Sequence, residues 1–198
     1  MMTHPLRCRC GRLKGEVAEP RKGSRGVCYC KDCQAYAHAL GNASAVLDEL
    51  GGTDVVATLP KRVRFTSGVD ALACLSLTER GMSRWYAGCC RTPIGNTMND
   101  FRFPYVGLVH SCLGSGDAID AAFGPVRMRV NTKSAEGGRP KAMPLSQAAA
   151  LLAFLPTVLI ARLDGSYRTT PFFSADGKPV AQRRVLTREE LEAARNAV

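Results

Sequence analysis

Seven of the nine cysteines in this 198-residue chain fall in three tight clusters: Cys8 and Cys10, then Cys28, Cys30 and Cys33, then Cys89 and Cys90. Thiols grouped so closely suit metal ligation, because Cys-x-Cys and Cys-x-x-Cys segments bring two sulfurs from one turn to the same ion. Zinc takes four soft ligands in a tetrahedron, about 2.3 Å from each sulfur. The segment CYCKDC offers three sulfurs within six residues. Three protein ligands would leave a fourth position open, as in catalytic rather than structural zinc sites. The remaining clusters supply four sulfurs, enough for one closed site. The sequence therefore holds ligands for two zinc ions per chain. Zinc is preferred to an iron–sulfur cluster because CYCKDC lacks a fourth cysteine at a ferredoxin spacing. Cys74 in LACLSL and Cys112 in GLVHSCL sit in apolar stretches and read as small core hydrophobes.

A disulfide scaffold does not fit. The cysteine count is odd, and the opening MMTHPLRCRC has no apolar signal core, so a reduced, cytoplasmic protein is expected. The longest mostly apolar run, Ala148 to Ala161, is 14 residues and contains Pro156, short of the roughly 18 needed to cross a bilayer. The formal charge of +10 counts every thiol as neutral. Seven thiolates on two Zn²⁺ ions would lower it by three, to about +7. Residues 1–33 carry eight Lys or Arg against three acids. Those cations favour thiolates and would attract an anionic small molecule.

The elements that must position these groups read as mainly β. LKGEV at 13–17, DVVATL, VRFTS, LACLSL, SRWYAG, YVGLVHSC and VRMRVN form strand-like stretches punctuated by Gly, Pro and Asp. The spacing predicts a short helix from Asp32 to Leu40, stopped by Gly41, with Cys33 in its first turn, where the helix dipole favours a thiolate. Ser146 to Leu163 reads as a helix interrupted or kinked at Pro156, and Thr187-Arg-Glu-Glu190 as a capping box opening a final helix. Residues 1–132 are thus expected to form a zinc-binding β-domain of antiparallel sheets, with 133–198 as a helical extension packed on it.

CRCG at 8–11 and CYCKDCQ at 28–34, followed by Cys90 ahead of Thr92-Pro93, carry a family resemblance. In this order the chain resembles the glutathione-dependent formaldehyde-activating enzymes and their centromere protein V relatives, whose fold is Mss4-like. WYAGCCRTPIGNT and PFFSADGKPV look like an uncharacterised bacterial subgroup. That family's third motif is Cys-x-x-Cys-Gly-Thr-Pro. Here Ala87 stands on its first cysteine and Arg91 on its glycine, and Cys89 lies two positions from the missing sulfur. The resemblance implies a closed zinc on Cys8, Cys10, Cys90 and Cys89, and an open zinc on Cys28, Cys30 and Cys33 as the reacting centre. For both Cys89 and Cys90 to reach one ion, the chain must turn at 88–92, because adjacent residues of a strand face opposite ways. The resemblance further implies a carbon–sulfur lyase or thiol-adduct synthase joining glutathione, a small anionic thiol, to formaldehyde. Three thiolates blunt the Lewis acidity of such a zinc, so thiol exchange suits it better than water activation.

Plainer readings stand beside these. CYCKDC could be a zinc knuckle closed by His38 or His110; the residues alone leave open and closed sites equal, and the resemblance favours the open one. Asp32 serves as well as a helix-start acid, and His38 as a helix-end cation. His110 reads as a hydrogen-bonded core histidine, and Trp85-Tyr86 as sheet packing. Tyr29 and Gln34 flank the reacting cysteines and are candidates to line a binding pocket. The alternative to an enzyme is a non-catalytic zinc module that binds a protein partner. Nucleic acid is the weakest partner, because the five cations between Arg127 and Lys141 accompany no recognition motif. The helix at 146–163 reads as core, and its apolar width leaves a homodimer interface open.

Overall fold

The computed structural model describes residues 2–141 and 147–198. Its strands are β1 (Thr3–Arg7), β2 (Lys14–Ala18), β3 (Ser24–Cys28), β4 (Thr53–Thr58), β5 (Val63–Ser67), β6 (Leu72–Ser76), β7 (Ser83–Ala87), β8 (Thr92–Thr97), β9 (Val106–Val109), β10 (Met128–Val130) and β11 (Arg183–Val185). The helices are α1 (Lys31–Ala39), α2 (Ala43–Val46), α3 (Gly116–Phe123), α4 (Gln147–Leu163) and α5 (Arg188–Asn196). The architecture is mainly β: a three-stranded sheet ordered β1-β2-β5 and an eight-stranded sheet ordered β10-β3-β4-β9-β8-β7-β6-β11.

Period-two alternation explains how the large sheet divides its faces. Val56, Trp85, Ile94 and Leu108 project into the main core, where they meet Leu6, Val17 and Val63 of the small sheet. Val55, Ala57 and Arg84, the sequence neighbours of Val56 and Trp85, project to the opposite face onto a cleft; Asn96 joins them opposite Arg84, because a bulge at Ile94 shifts the alternation of β8. Trp85 Nε1 donates to Thr97 Oγ1 at 2.9 Å, so the indole enters the core with its polar atom satisfied.

The structure adds two features to the expected mainly β fold with its helical extension. The large sheet is not wholly antiparallel: its edge strands β10 and β11 run parallel to β3 and β6. Each arrives after a long excursion of chain, which lets it enter in either direction. Nor is 133–198 purely helical, since β11 completes the sheet and Phe172 and Phe173 enter the main core beside Trp85.

α4 continues through Pro156 as one helix; Ser146, its expected start, lies outside the described residues. It buries Val158 and Ala161 but exposes Leu152, Leu155, Leu159, Ile160 and Leu163, so it is not the core helix its composition suggests. α5 opens on the expected capping box and packs Leu191 and Ala194 against Tyr36 of α1 and Leu40 just after it. Among the described residues, no helix is long and apolar enough to cross a membrane.

Candidate metal centres

The first cysteine group joins two hairpin turns. Cys8 and Cys10 lie in the β1–β2 connection, where Gly11 takes the left-handed conformation (φ +75°) and donates its N–H to the Cys8 carbonyl at 2.9 Å. Leu13 N–H points at Cys8 Sγ from 3.3 Å. Cys89 and Cys90 lie in the turn between β7 and β8, closed by Arg91 N–H to the Ala87 carbonyl at 2.7 Å. The turn expected at 88–92 is present, and it brings both adjacent sulfurs to one side. Thr92 Oγ1 accepts from Arg9 N–H at 3.0 Å and lies 3.0 Å from Cys90 Sγ, tying the two turns together.

The sulfurs are 3.5 Å apart for Cys8–Cys10, 3.8 Å for Cys8–Cys89, 3.3 Å for Cys10–Cys89 and 3.9 Å for Cys89–Cys90. A tetrahedron with bonds of about 2.3 Å has edges of about 3.8 Å. The four thiols therefore match a tetrahedral ion without further ligands. Against the desolvation that opposes it, the Thr92 hydroxyl and the Cys10 backbone N–H hold the Cys90 thiol down at about 6, ready to ligate as thiolate.

The second group is built at a strand-to-helix junction. Cys28 ends β3, Cys30 caps α1, and Cys33 sits in the first helical turn, its N–H 3.3 Å from Cys30 Sγ. All three sulfurs lie within 4.8 Å of one another. Hydrogen bonds from Cys30 and Cys33, with a smaller one from Asn131 Nδ2 at 3.4 Å, hold the Cys28 thiol far below its ordinary range. Among the described residues no histidine or carboxylate joins either group. His110 instead hydrogen-bonds the Asp54 carbonyl, and His38 lines a hollow against α5. The structure thus brings together Cys8, Cys10, Cys89 and Cys90, and separately Cys28, Cys30 and Cys33. Two groups able to hold metal ions result, and there are no disulfides among the nine free cysteines.

The three-cysteine group borders a cleft of about 330 Å³. Its walls are largely apolar, from Val27, Val55, Leu77, Met82, Met128 and Val130. Tyr29 and Gln34 do not line it. Extended chain alternates its side chains, so Cys28 and Cys30 face the cleft while Tyr29 turns inward and its hydroxyl donates to Asp48 Oδ2 at 3.2 Å. Gln34 is fully buried, donating to the carbonyls of Tyr29 and Ser134. Both are supports behind the cysteines.

Five polar residues that sequence reasoning missed do line the cleft: Ser24, Arg84, Asn96, Tyr105 and Asn131. Arg84 is 4% exposed. Its Nη1 lies 4.0 Å from Cys33 Sγ and 3.4 Å from Asn96 Oδ1, and its guanidinium sits 5.1 Å from the centre of the Tyr36 ring. The available signal was Arg84 directly preceding Trp85 in a strand-like run: a tryptophan facing the core sends its neighbour to the other face. Asp32 lines the rim, exposed and 3.6 Å from Arg195 Nη2.

Over residues 2–184 the chain matches the family described as Family of unknown function (DUF6151). No curated protein matches it.

Proposed function

The chain belongs to the DUF6151 family of unknown function, and from its two cysteine groups we propose a zinc protein that makes or breaks a carbon–sulfur bond at Cys28, Cys30 and Cys33. The observation that carries this reading is the contrast between the groups. Four sulfurs close one tetrahedron unaided, whereas three sulfurs border a cleft with no fourth protein ligand among the described residues. Zinc suits both, as an all-sulfur, near-tetrahedral donor set selects a soft-tolerant ion without geometric demands. The order of the cysteines, which resembles the formaldehyde-activating enzymes, supports the same chemistry, with a small thiol and an aldehyde as substrates and the cytoplasm as its setting.

When bound, zinc would hold a thiol as thiolate or polarise a carbonyl oxygen. The reaction is redox-neutral: the sulfur lone pair forms the C–S bond, the C=O π pair moves to oxygen, and the thiol proton ends on that oxygen. The chain's own residues set the conditions. Cys30 and Cys33 are fixed by the first turn of α1, whose dipole favours negative charge there. Three thiolates and one Zn²⁺ sum to a net negative charge, and the Arg84 guanidinium beside Cys33 offsets it. That counter-charge restores electrophilicity which three thiolates alone would blunt. The apolar walls exclude water and strengthen each of these interactions.

The test is metal content together with adduct exchange. Wild-type protein should contain two zinc ions and Cys33→Ser one. Exchange of formaldehyde with a thiol adduct, followed by ¹³C NMR, should be faster with the wild type than with Cys33→Ser. Equal rates would overturn the catalytic reading.

A further inference from the structure

We propose that Arg84, Asn96 and Tyr105 form a receptor for the carboxylate of the substrate, which is a compact and otherwise apolar thiol acid rather than glutathione. The inference rests on the open three-cysteine centre proposed above and specifies what occupies the cleft beside it.

A buried guanidinium is costly unless its donors are paired, and the thiolates beside Nη1 supply a counter-charge without satisfying the others. Both hydrogen bonds of Arg84 leave from Nη1, so Nε and Nη2 donate to no group among the described residues. Asn96 is buried opposite Arg84 on the neighbouring strand; its Oδ1 is taken by Arg84, and its Nδ2 donates to none of the described residues. The Tyr105 hydroxyl likewise lines the cleft with no hydrogen-bond partner among them, while its ring packs edge-on against Phe154. Burial pushes that phenol further above its ordinary range, so it stays a donor. Three unengaged donor groups thus border one cleft, and one is a permanent cation. Planar, bidentate recognition of a carboxylate is what a guanidinium does best.

Geometry also limits the ligand. With Arg84 Nη1 only 4.0 Å from Cys33 Sγ, the guanidinium borders the cysteine centre, and a short chain connects a sulfur there to a carboxylate on Arg84. The rest of the molecule meets Val27, Val55, Met82 and Met128. Ser24, Asp32 and Asn131 add polar atoms to the lining, but Arg84 is its one cation among the described residues, so the second carboxylate of glutathione would be buried there unpaired, which is unfavourable.

The experiment titrates cobalt(II)-loaded full-length protein with 3-mercaptopropionate and with 2-mercaptoethanol, reading the cobalt absorption. The wild type should bind the acid about tenfold or more tightly, the scale of a charged hydrogen bond. Arg84→Met should bring the two thiols to near-equal affinity: both lose the counter-charge beside Cys33, and the acid loses its carboxylate partner as well, so it weakens more than mercaptoethanol does. Tyr105→Phe, which keeps the ring packing, should narrow the preference about threefold or more and decides the matter if Arg84→Met does not fold. A wild type without preference, or a preference that survives the substitutions, overturns the receptor. So does loss of cobalt in Arg84→Met with an unchanged preference in Tyr105→Phe, since Arg84 would then be a counter-charge only. If no thiol alters the spectrum, the open-metal reading fails by itself. Calorimetry with pentanoate then separates the two: binding weakened by Tyr105→Phe supports the receptor, and no binding overturns it.

Discussion

Arg84 Nη1 lies 4.0 Å from the Cys33 sulfur, and the guanidinium meets no carboxylate among the described residues. β7 places Arg84 and α1 places Cys33, two elements 51 residues apart in sequence. Their approach turns a cluster of thiols into a site with both a soft-ligand face and a cation. The charge arithmetic read from the sequence is thereby completed by one residue that no cysteine motif contains.

The four-cysteine group should contribute to folding directly, since a preformed site exists only in the folded chain. Cys10→Ser is expected to lose one of two metal ions and about 3 kcal/mol or more of stability, a fall in Tm of roughly 6–12 °C. Cys33→Ser should lose one ion with a smaller fall. Elemental analysis and thermal unfolding check both, and an unchanged Tm for Cys10→Ser would count against a structural ion.

Arg91 holds a left-handed backbone at φ +56° in the turn carrying Cys89 and Cys90. A non-glycine residue there costs about 1–2 kcal/mol. Arg91→Gly relieves that strain and gives back roughly 0.5–1 kcal/mol through the freer unfolded chain. The side chain is exposed, and the Asn42 Nδ2 bond to the Arg91 carbonyl at 2.7 Å is a backbone contact that glycine keeps. A net gain of about 0.5–1 kcal/mol follows, measurable as a raised denaturation midpoint.

Thr92→Val deletes the hydroxyl that helps hold Cys90 at about 6. The thiol pKa then rises and protons compete with the metal at higher pH. The midpoint of acid-induced metal release, read with a chromogenic chelator, is expected to move upward. A midpoint unchanged or lowered would show that the hydroxyl does not support the ligand.

Cys74 and Cys112 should resist alkylation while the fold stands. Burial raises Cys74 to about 11 and pushes Cys112 up likewise, so near pH 8 only about one Cys74 in a thousand is thiolate. Mass spectrometry of the folded protein after brief chelator treatment should find Cys10, Cys28, Cys30, Cys33, Cys89 and Cys90 modified and Cys74 and Cys112 untouched, with Cys8, equally buried, protected alongside them. Because their folded values exceed the ordinary 9.0, the stability they contribute is present below about pH 9 and falls as pH rises beyond it. Modification of Cys112 before unfolding would contradict the burial.

The sequence by itself determined the thiol groups and most of the elements carrying them. Spacing within a turn is a local property, so CRCG and CYCKDC revealed their sulfurs directly, and Gly41 and the Thr187–Glu190 pair marked helix ends by local chemistry. Val63–Ser67 was legible to the residue. β1, β3, β8 and β11 were not, for their glycines, prolines and charges hide the alternation that tertiary pairing imposes. The meeting of Cys8 and Cys10 with Cys89 and Cys90 across some 80 residues was expected from the sulfur count and the family resemblance, but the contact itself is set by strand order and not by local spacing. Only the tertiary structure decided against Tyr29 and Gln34 as cleft residues and in favour of Arg84, Asn96 and Tyr105. Adjacency in sequence puts a side chain near a cysteine's backbone, but the face of the strand decides whether it reaches the same space.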